Sequence, residues 1–251
     1  MYIILNILMC VLFVILGVVA ILAALFLFVG FCSLFADRNK VYDKESKFFR
    51  FLLTYSTAIA RVLLRIKLDV KGMDKLPEGR FLLVSNHRSK FDPILTWLVF
   101  KKQHIAFISK FSNFKVPIFG RIIRKCCFMG IDRDNPREAL KTINQAVKLI
   151  KNDEVSVGVY PEGTRNYEAG LLPFHNAVFK IAVKAKVPIV ILTVKAADEI
   201  QHNYPFKRSV VYFDVCEVMP ADRVASMKTG DIGSYVAEIM TKSLGKQEEK
   251  K

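Results

Sequence analysis

In a chain of 251 residues, the stretch VSNHRSKFDP, Val84 to Pro93, holds the two side chains best suited to proton transfer, His87 and Asp92. A carboxylate bonded to one imidazole nitrogen fixes the ring's tautomer and raises the basicity of the other, which can then take a proton from a hydroxyl. On a single helix, five residues at ~100° each would leave the pair about 140° apart. Cooperation therefore requires a loop at His87 and a helix start at Asp92. Asp92 followed by Pro93 reads as an N-cap and first helical position, continued by PILTWLVFK. One carboxylate oxygen then accepts from the imidazole, and the other is left for a backbone N–H of the first turn.

A second polar cluster ends another apolar run, VSVGVYPEGTRN from Val155 to Asn166. Arg165 offers a planar fork of donors suited to phosphate, Gly163 lets backbone come close to a ligand, and Glu162 and Thr164 complete the loop. Taken alone, these residues equally make a tight turn with a solvated Glu–Arg pair. CFMGIDRD adds Arg133 as a second cation for the same anion. KVPIVILTV, Lys186 to Val194, suits a core strand and the wall of an apolar channel equally well. No G-x-S-x-G elbow or Cys–His pair offers a nucleophile. Five cysteines, two of them adjacent at Cys126 and Cys127, lack C-x-x-C spacing, so neither a disulfide framework nor a metal site is expected.

The elements that must hold these loops alternate. Short β-branched and aromatic runs at 65–71, 81–85, 105–109, 126–131, 155–160, 188–195 and 209–218 are separated by helical patterns, which predicts an α/β fold with a mixed, largely parallel sheet flanked by helices. Loops at the carboxyl ends of such strands are where open α/β sheets place ligands. The clearest helix follows Asn135 as N-cap, with Pro136 at the first position and Glu138 completing a capping box. A second begins at Phe174 in FHNAVFKIAVKAK.

Residues 1–36 carry no charged side chain, and an apolar helix of about 20 residues crosses a bilayer core. The run suits a retained membrane anchor, as one span, a tilted or broken helix, or a hairpin in one leaflet. It fits a cleaved signal poorly, having no basic n-region and no small-x-small site near Ala36. Residues 37–66 form a basic flank, and FFRFLLTYSTAIARVLLRI within it suits either an interfacial helix, with Arg50, Arg61 and Arg65 reaching headgroups, or a helix packed on the domain. Lysines and arginines after the anchor predict a catalytic domain on the cytoplasmic face. Residues 67–245 are the expected α/β domain and 246–251 a frayed tail. The net charge is +15, all of it outside the anchor, and suits anionic lipid or phosphorylated substrates. Nucleic acid is not an expected partner, because no zinc-finger, RNP-type or basic-heptad pattern is present.

In order along the chain, these segments resemble the glycerophospholipid acyltransferase family, most closely its bacterial-type 1-acyl-glycerol-3-phosphate acyltransferases. The resemblance covers about Lys67 to Val194. It rests on Asn86, His87 and Asp92 in the pattern N-H-x-x-x-x-D, on Ile131, Asp132 and Arg133, on Pro161 to Arg165, and on Val187, Pro188 and Ile189; Lys110, Pro117 and Gly120 also fall in the expected places. It implies transfer of a fatty acyl group from a thioester, on coenzyme A or acyl carrier protein, to the 2-hydroxyl of lysophosphatidic acid at a membrane surface, with no cofactor. His87 is then the base, Asp92 its orienting carboxylate, and Arg133 and Arg165 the phosphate ligands, with Glu162, Gly163 and Thr164 at the substrate. Two departures stand out. Gly130 replaces a bulky residue, which predicts a bend in its strand, and Phe174, His175, Asn176 and Ala177 replace F-K-x-G, leaving His175 as a substitute donor or a structural side chain. Glycerol 3-phosphate or another lysophospholipid remains an alternative acceptor, and a non-catalytic lipid or acyl-carrier binding protein an alternative class.

Overall fold

The computed structural model describes residues 2–168 and 170–246. Seven strands form one sheet: β1 (Ile66–Lys71), β2 (Leu82–Ser85), β3 (Ile105–Lys110), β4 (Met129–Ile131), β5 (Ser156–Val159), β6 (Ile189–Lys195) and β7 (Ser209–Met219). Their order is β1-β7-β6-β2-β5-β3-β4, and among the described residues only β6 and β7 pair antiparallel. This is the mixed, largely parallel sheet expected. β2, β5 and nearly all of β6 are buried on both faces, which is why they read as unbroken apolar runs without alternation.

The helices are α1 (Tyr2–Ser33), α2 (Lys47–Leu63), α3 (Asp92–Val99), α4 (Phe119–Lys125), α5 (Pro136–Lys151), α6 (Lys180–Ala185), α7 (Ile200–Asn203), α8 (Ala221–Ser226) and α9 (Thr229–Lys246). α5 buries Ile143, Ala146, Leu149 and Ile150 along one stripe. Its cap is half of the expected box. Asn135 Oδ1 accepts from the N–H groups of Arg137 (3.1 Å) and Glu138 (3.3 Å), whereas the Glu138 carboxylate takes Lys141 Nζ at 2.7 Å instead of reaching back.

Three expectations change. Cys126 and Cys127 do not open β4: they close α4, with the Cys127 N–H on Arg124 O and Cys127 at φ +62°. Burial pushes the Cys127 thiol up to about 12. The helix expected from Phe174 is divided into a 3-10 turn, Asn176–Phe179, and α6. At Gly130, where a bend was expected, β4 pairs with β3 without a register shift, and a Cβ there would lie 2.5 Å from the Phe111 ring, so the glycine makes room for it. Gly158 in β5 does the same for the buried Phe107, at 2.5 Å. The tail at 247–251 lies outside the described residues.

α1 is one unbroken helix of 32 residues, about 48 Å at 1.5 Å per residue against a bilayer core of roughly 30 Å, so the chain forms no hairpin here. Within 48–66, α2 has a buried face and an exposed apolar face. Phe49, Leu52 and Leu53 pack on the domain, while Phe48, Phe51, Tyr55, Ile59 and Val62 face outward at helical spacing. Arg50 does not reach outward. It is buried, pairs with Glu45 and lies 4.1 Å from the Trp97 ring centroid.

Candidate active site

β2 delivers Asn86 and His87 at the carboxyl edge of the sheet. Asn86 is 1% exposed and extends the β2–β6 ladder with its side chain, donating from Nδ2 to Val194 O (2.9 Å) and accepting the Val194 N–H at Oδ1 (2.8 Å). The backbone can therefore leave the sheet at His87 without orphaning the neighbouring strand. Five residues on, Asp92 returns beneath the ring, with His87 Nδ1 3.0 Å from Asp92 Oδ2.

The carboxylate is held differently from expectation. Phe91 is the N-cap and Asp92 the first helical residue. Oδ2 receives the imidazole and the N–H groups of Arg88 (2.8 Å) and Ser89 (2.7 Å), and Oδ1 is buried with no hydrogen-bond partner among the described residues. The physical reason is a turn before the helix: Asp92 N–H bonds Ser89 O at 3.2 Å, which folds the preceding N–H groups around the carboxylate ahead of those in the first turn.

Both backbone groups of His87 are also tethered. Its N–H donates to Glu162 Oε1 (2.8 Å), and its carbonyl accepts from Asn166 N–H (2.7 Å). Glu162 Oε2 accepts from Leu172 N–H at 3.0 Å, and the residue is only 3% exposed. Glu162 is thus buried rather than solvated, and its two oxygens hold the N–H groups of His87 and Leu172. Tyr160 stacks on the imidazole, with centroids 4.4 Å apart, and on Phe107 at 5.8 Å, while its hydroxyl lies 3.4 Å from Thr96 Oγ1. Burial, helped by the Asp92 charge, holds the phenol well above its ordinary range and keeps it neutral. With Nδ1 on Asp92, the imidazole has Nε2 left for another molecule.

The cations gather beside this frame. Gly163 sits at φ +72°, and a Cβ there would meet His175 Cδ2 at 2.8 Å and Arg133 Cζ at 3.3 Å. A cavity of about 360 Å³ opens here, with Arg133, His175 and Lys180 as its basic groups, Ile108, Ile131, Leu140 and Ile143 among its apolar wall, and Tyr160 as the boundary toward His87. Partial burial lowers the Arg133 guanidinium from its usual value, with the Asp134 charge opposing. Thr164 and Arg165 are exposed and line no part of the cavity; Arg165 Cζ lies 5.6 Å from the Tyr167 ring centroid. β6 lines none of it either, and Ile189 to Val194 are buried, as suits a core strand.

Residues 67–195 match the family model for Acyltransferase. The chain belongs to the Acyltransferase family. This acyltransferase is 28% identical over 183 residues to the 1-acyl-sn-glycerol-3-phosphate acyltransferase of Haemophilus influenzae, covering 70% of the present chain and 73% of that one. It is 24% identical over 190 residues to the Saccharomyces cerevisiae protein of the same name, covering 74% and 62%. Its fold matches the crystal structure of the 1-acyl-sn-glycerophosphate (LPA) acyltransferase PlsC from Thermotoga maritima with a TM-score of 0.66 at 23% identity, over 88% of this chain and 87% of that one. Asn166, Tyr160 and the cavity position of His175 escaped the sequence reading. Asn166 and Tyr160 meet His87 because β2 and β5 are neighbours, and His175 reaches the cavity because its N–H folds back onto Pro161 O (2.8 Å) beside Gly163 and Arg133.

Proposed function

We propose that this acyltransferase transfers a fatty acyl group from an acyl thioester, carried by coenzyme A or acyl carrier protein, to the 2-hydroxyl of 1-acyl-glycerol 3-phosphate, giving phosphatidic acid at a membrane held by α1. The observation that carries the reading is the His87–Asp92 contact at 3.0 Å, with the His87 backbone tethered on both sides. The imidazole side chain is 17% exposed and the carboxylate 1%, as suits a base that meets substrate and a partner that does not.

His87 Nε2 takes the proton of the acceptor hydroxyl as the oxygen attacks the thioester carbonyl. Asp92 holds the tautomer and stabilises the imidazolium that forms. The tetrahedral intermediate expels the thiolate, and the imidazolium returns the proton to sulfur, so one ester forms, one thioester breaks, and the base is regenerated. Arg133, with His175 and Lys180 in the same cavity, is suited to an anionic headgroup, while the apolar wall is suited to a chain. Arg165, at the exposed rim, is proposed as a second phosphate ligand that folds in over the bound acceptor. The matching proteins named as 1-acyl-sn-glycerol-3-phosphate acyltransferases support the choice of acceptor.

The test offers a labelled acyl thioester to the detergent-solubilised chain with lysophosphatidic acid, glycerol 3-phosphate and lysophosphatidylcholine in parallel. A two-chain phosphatidic acid is expected, with a loss on the order of a hundredfold or more in His87→Ala. Equal rates in the variant would sink the mechanism, and transfer to another acceptor alone would sink the substrate.

A further inference from the structure

The loop between α7 and β7 exposes Phe206 at 86% and Tyr204 at 47%, followed by Lys207 and Arg208. It is not a stray tip. Arg65 Nη1 donates to the carbonyls of Pro205 (3.3 Å) and Phe206 (3.0 Å), fastening the loop to the residue just beyond the end of α2. There Val62 and Leu63 are exposed at 65% and 52%, completing the outward stripe of α2. The outward stripe of α2 therefore ends, at Val62 and Leu63, beside the loop that carries Phe206.

The sheet topology gives that surface a position. β1 and β7 begin level with each other, Ile66 opposite Ser209, and β7 runs antiparallel to β6. Val194, which Asn86 bonds, pairs with Phe213 near the start of β7. The start of β7, the end of α2 and the Phe206 loop thus lie on the edge of the sheet where β2 presents His87. Across the same edge, the foot of α1 touches the loop after β3, where a Cβ on Gly30 would lie 3.3 Å from Ile118 Cδ1.

We infer that the Phe206 loop is a second membrane foot, inserting aromatic side chains among lipid headgroups so that the bilayer lies against the His87 edge at both ends. Its occupant is an anionic bilayer surface. The neighbouring α2 stripe supplies the apolar contact, and Arg61, Arg65, Lys207 and Arg208 around it supply the complementary charge. An exposed Phe alone would be ordinary surface; an exposed Phe tied by an arginine to an amphipathic helix is a contact surface. The inference rests on the proposed membrane setting, and its readout requires no turnover.

The full chain is reconstituted in phosphatidylcholine–phosphatidylglycerol vesicles with bromine on the acyl chains near the headgroups. Phe206→Trp is compared with Lys102→Trp at the opposite edge of the sheet, with the native Trp97, 2% exposed, as the background. Insertion to the ~5–10 Å typical of interfacial side chains should quench the added emission about twofold or more at position 206 and leave position 102 unchanged. Quenching at neither position, or equally at both, would overturn the inference. So would an emission change at position 206 on adding acyl carrier protein without lipid, if brominated lipid had none; that result would assign the patch to a protein partner. Phe206→Glu should raise KM for a vesicle-borne acceptor several-fold and leave transfer in detergent micelles unchanged, an effect separate from loss of the chemistry itself.

Discussion

The frame that holds the base and the rim that carries Arg165 are built oppositely. Around His87, the side chain, the N–H and the carbonyl are each bonded to a different residue, and Asn86, Asp92 and Glu162 are almost wholly buried. At the rim, Thr164 and Arg165 are exposed, and Arg165 Cζ stands 5.6 Å from the Tyr167 ring centroid. Proton transfer tolerates little displacement of the base, so its frame is rigid before substrate arrives. A phosphate approaching from a fluid membrane is better met by long cationic arms that settle on it late, since a preformed exposed ion pair contributes little.

Variants should divide along that line, the base frame appearing in kcat and the rim in KM. Asp92→Asn removes the charge that stabilises the imidazolium; kcat should fall about a hundredfold or more with KM for the acceptor little changed, in steady-state transfer assays. Glu162→Gln turns one buried acceptor into a donor facing either His87 N–H or Leu172 N–H. An unsatisfied buried group costs about 1–3 kcal/mol, so a Tm lower by roughly 2–10 °C should accompany a kcat reduced about tenfold. If Glu162→Gln changed KM alone, the contrast between the regions would be wrong. Arg133→Ala should raise KM for the acceptor about tenfold at nearly constant kcat, and Arg165→Ala by less at high salt than at low, because an exposed cation is screened. Gly163→Ala is the mildest: a non-glycine residue at φ +72° costs about 1–2 kcal/mol, and the new Cβ must displace the flexible edge of His175, so a few-fold rise in KM is expected with a small drop in Tm.

Most of the sheet was legible because buried parallel strands are short apolar runs ended by polar loops, and all seven such runs became strands. CCFMGI shows where legibility ends. The same apolar composition serves a helix end and a strand, and only the Cys127 N–H bond to Arg124 O decides where one stops. In the site, the spacing of His87 and Asp92 was sufficient to demand a folded-back loop, since no helix or strand brings them together. It was insufficient to show which oxygen would receive which N–H. Glu162 resembled a solvated partner of Arg165 because a sequence places it near its neighbour in the chain, whereas its bonds go to His87 and Leu172. Arg50 misled likewise: its buried partner, Glu45, is hidden among charges that looked like a uniform basic flank.

Gly158 has no polar side chain and does not line the cavity beside Arg133, yet it stands at the bottom of a column of rings. The space left by its missing Cβ admits Phe107; Phe107 backs Tyr160, and Tyr160 backs the imidazole of His87. A methyl group added in the middle of the sheet would therefore be transmitted upward through three rings to the proton acceptor. The sequence freedom of this acyltransferase is consequently narrower than its list of reactive groups suggests, because a hydrogen atom on a central strand sets the height of its base.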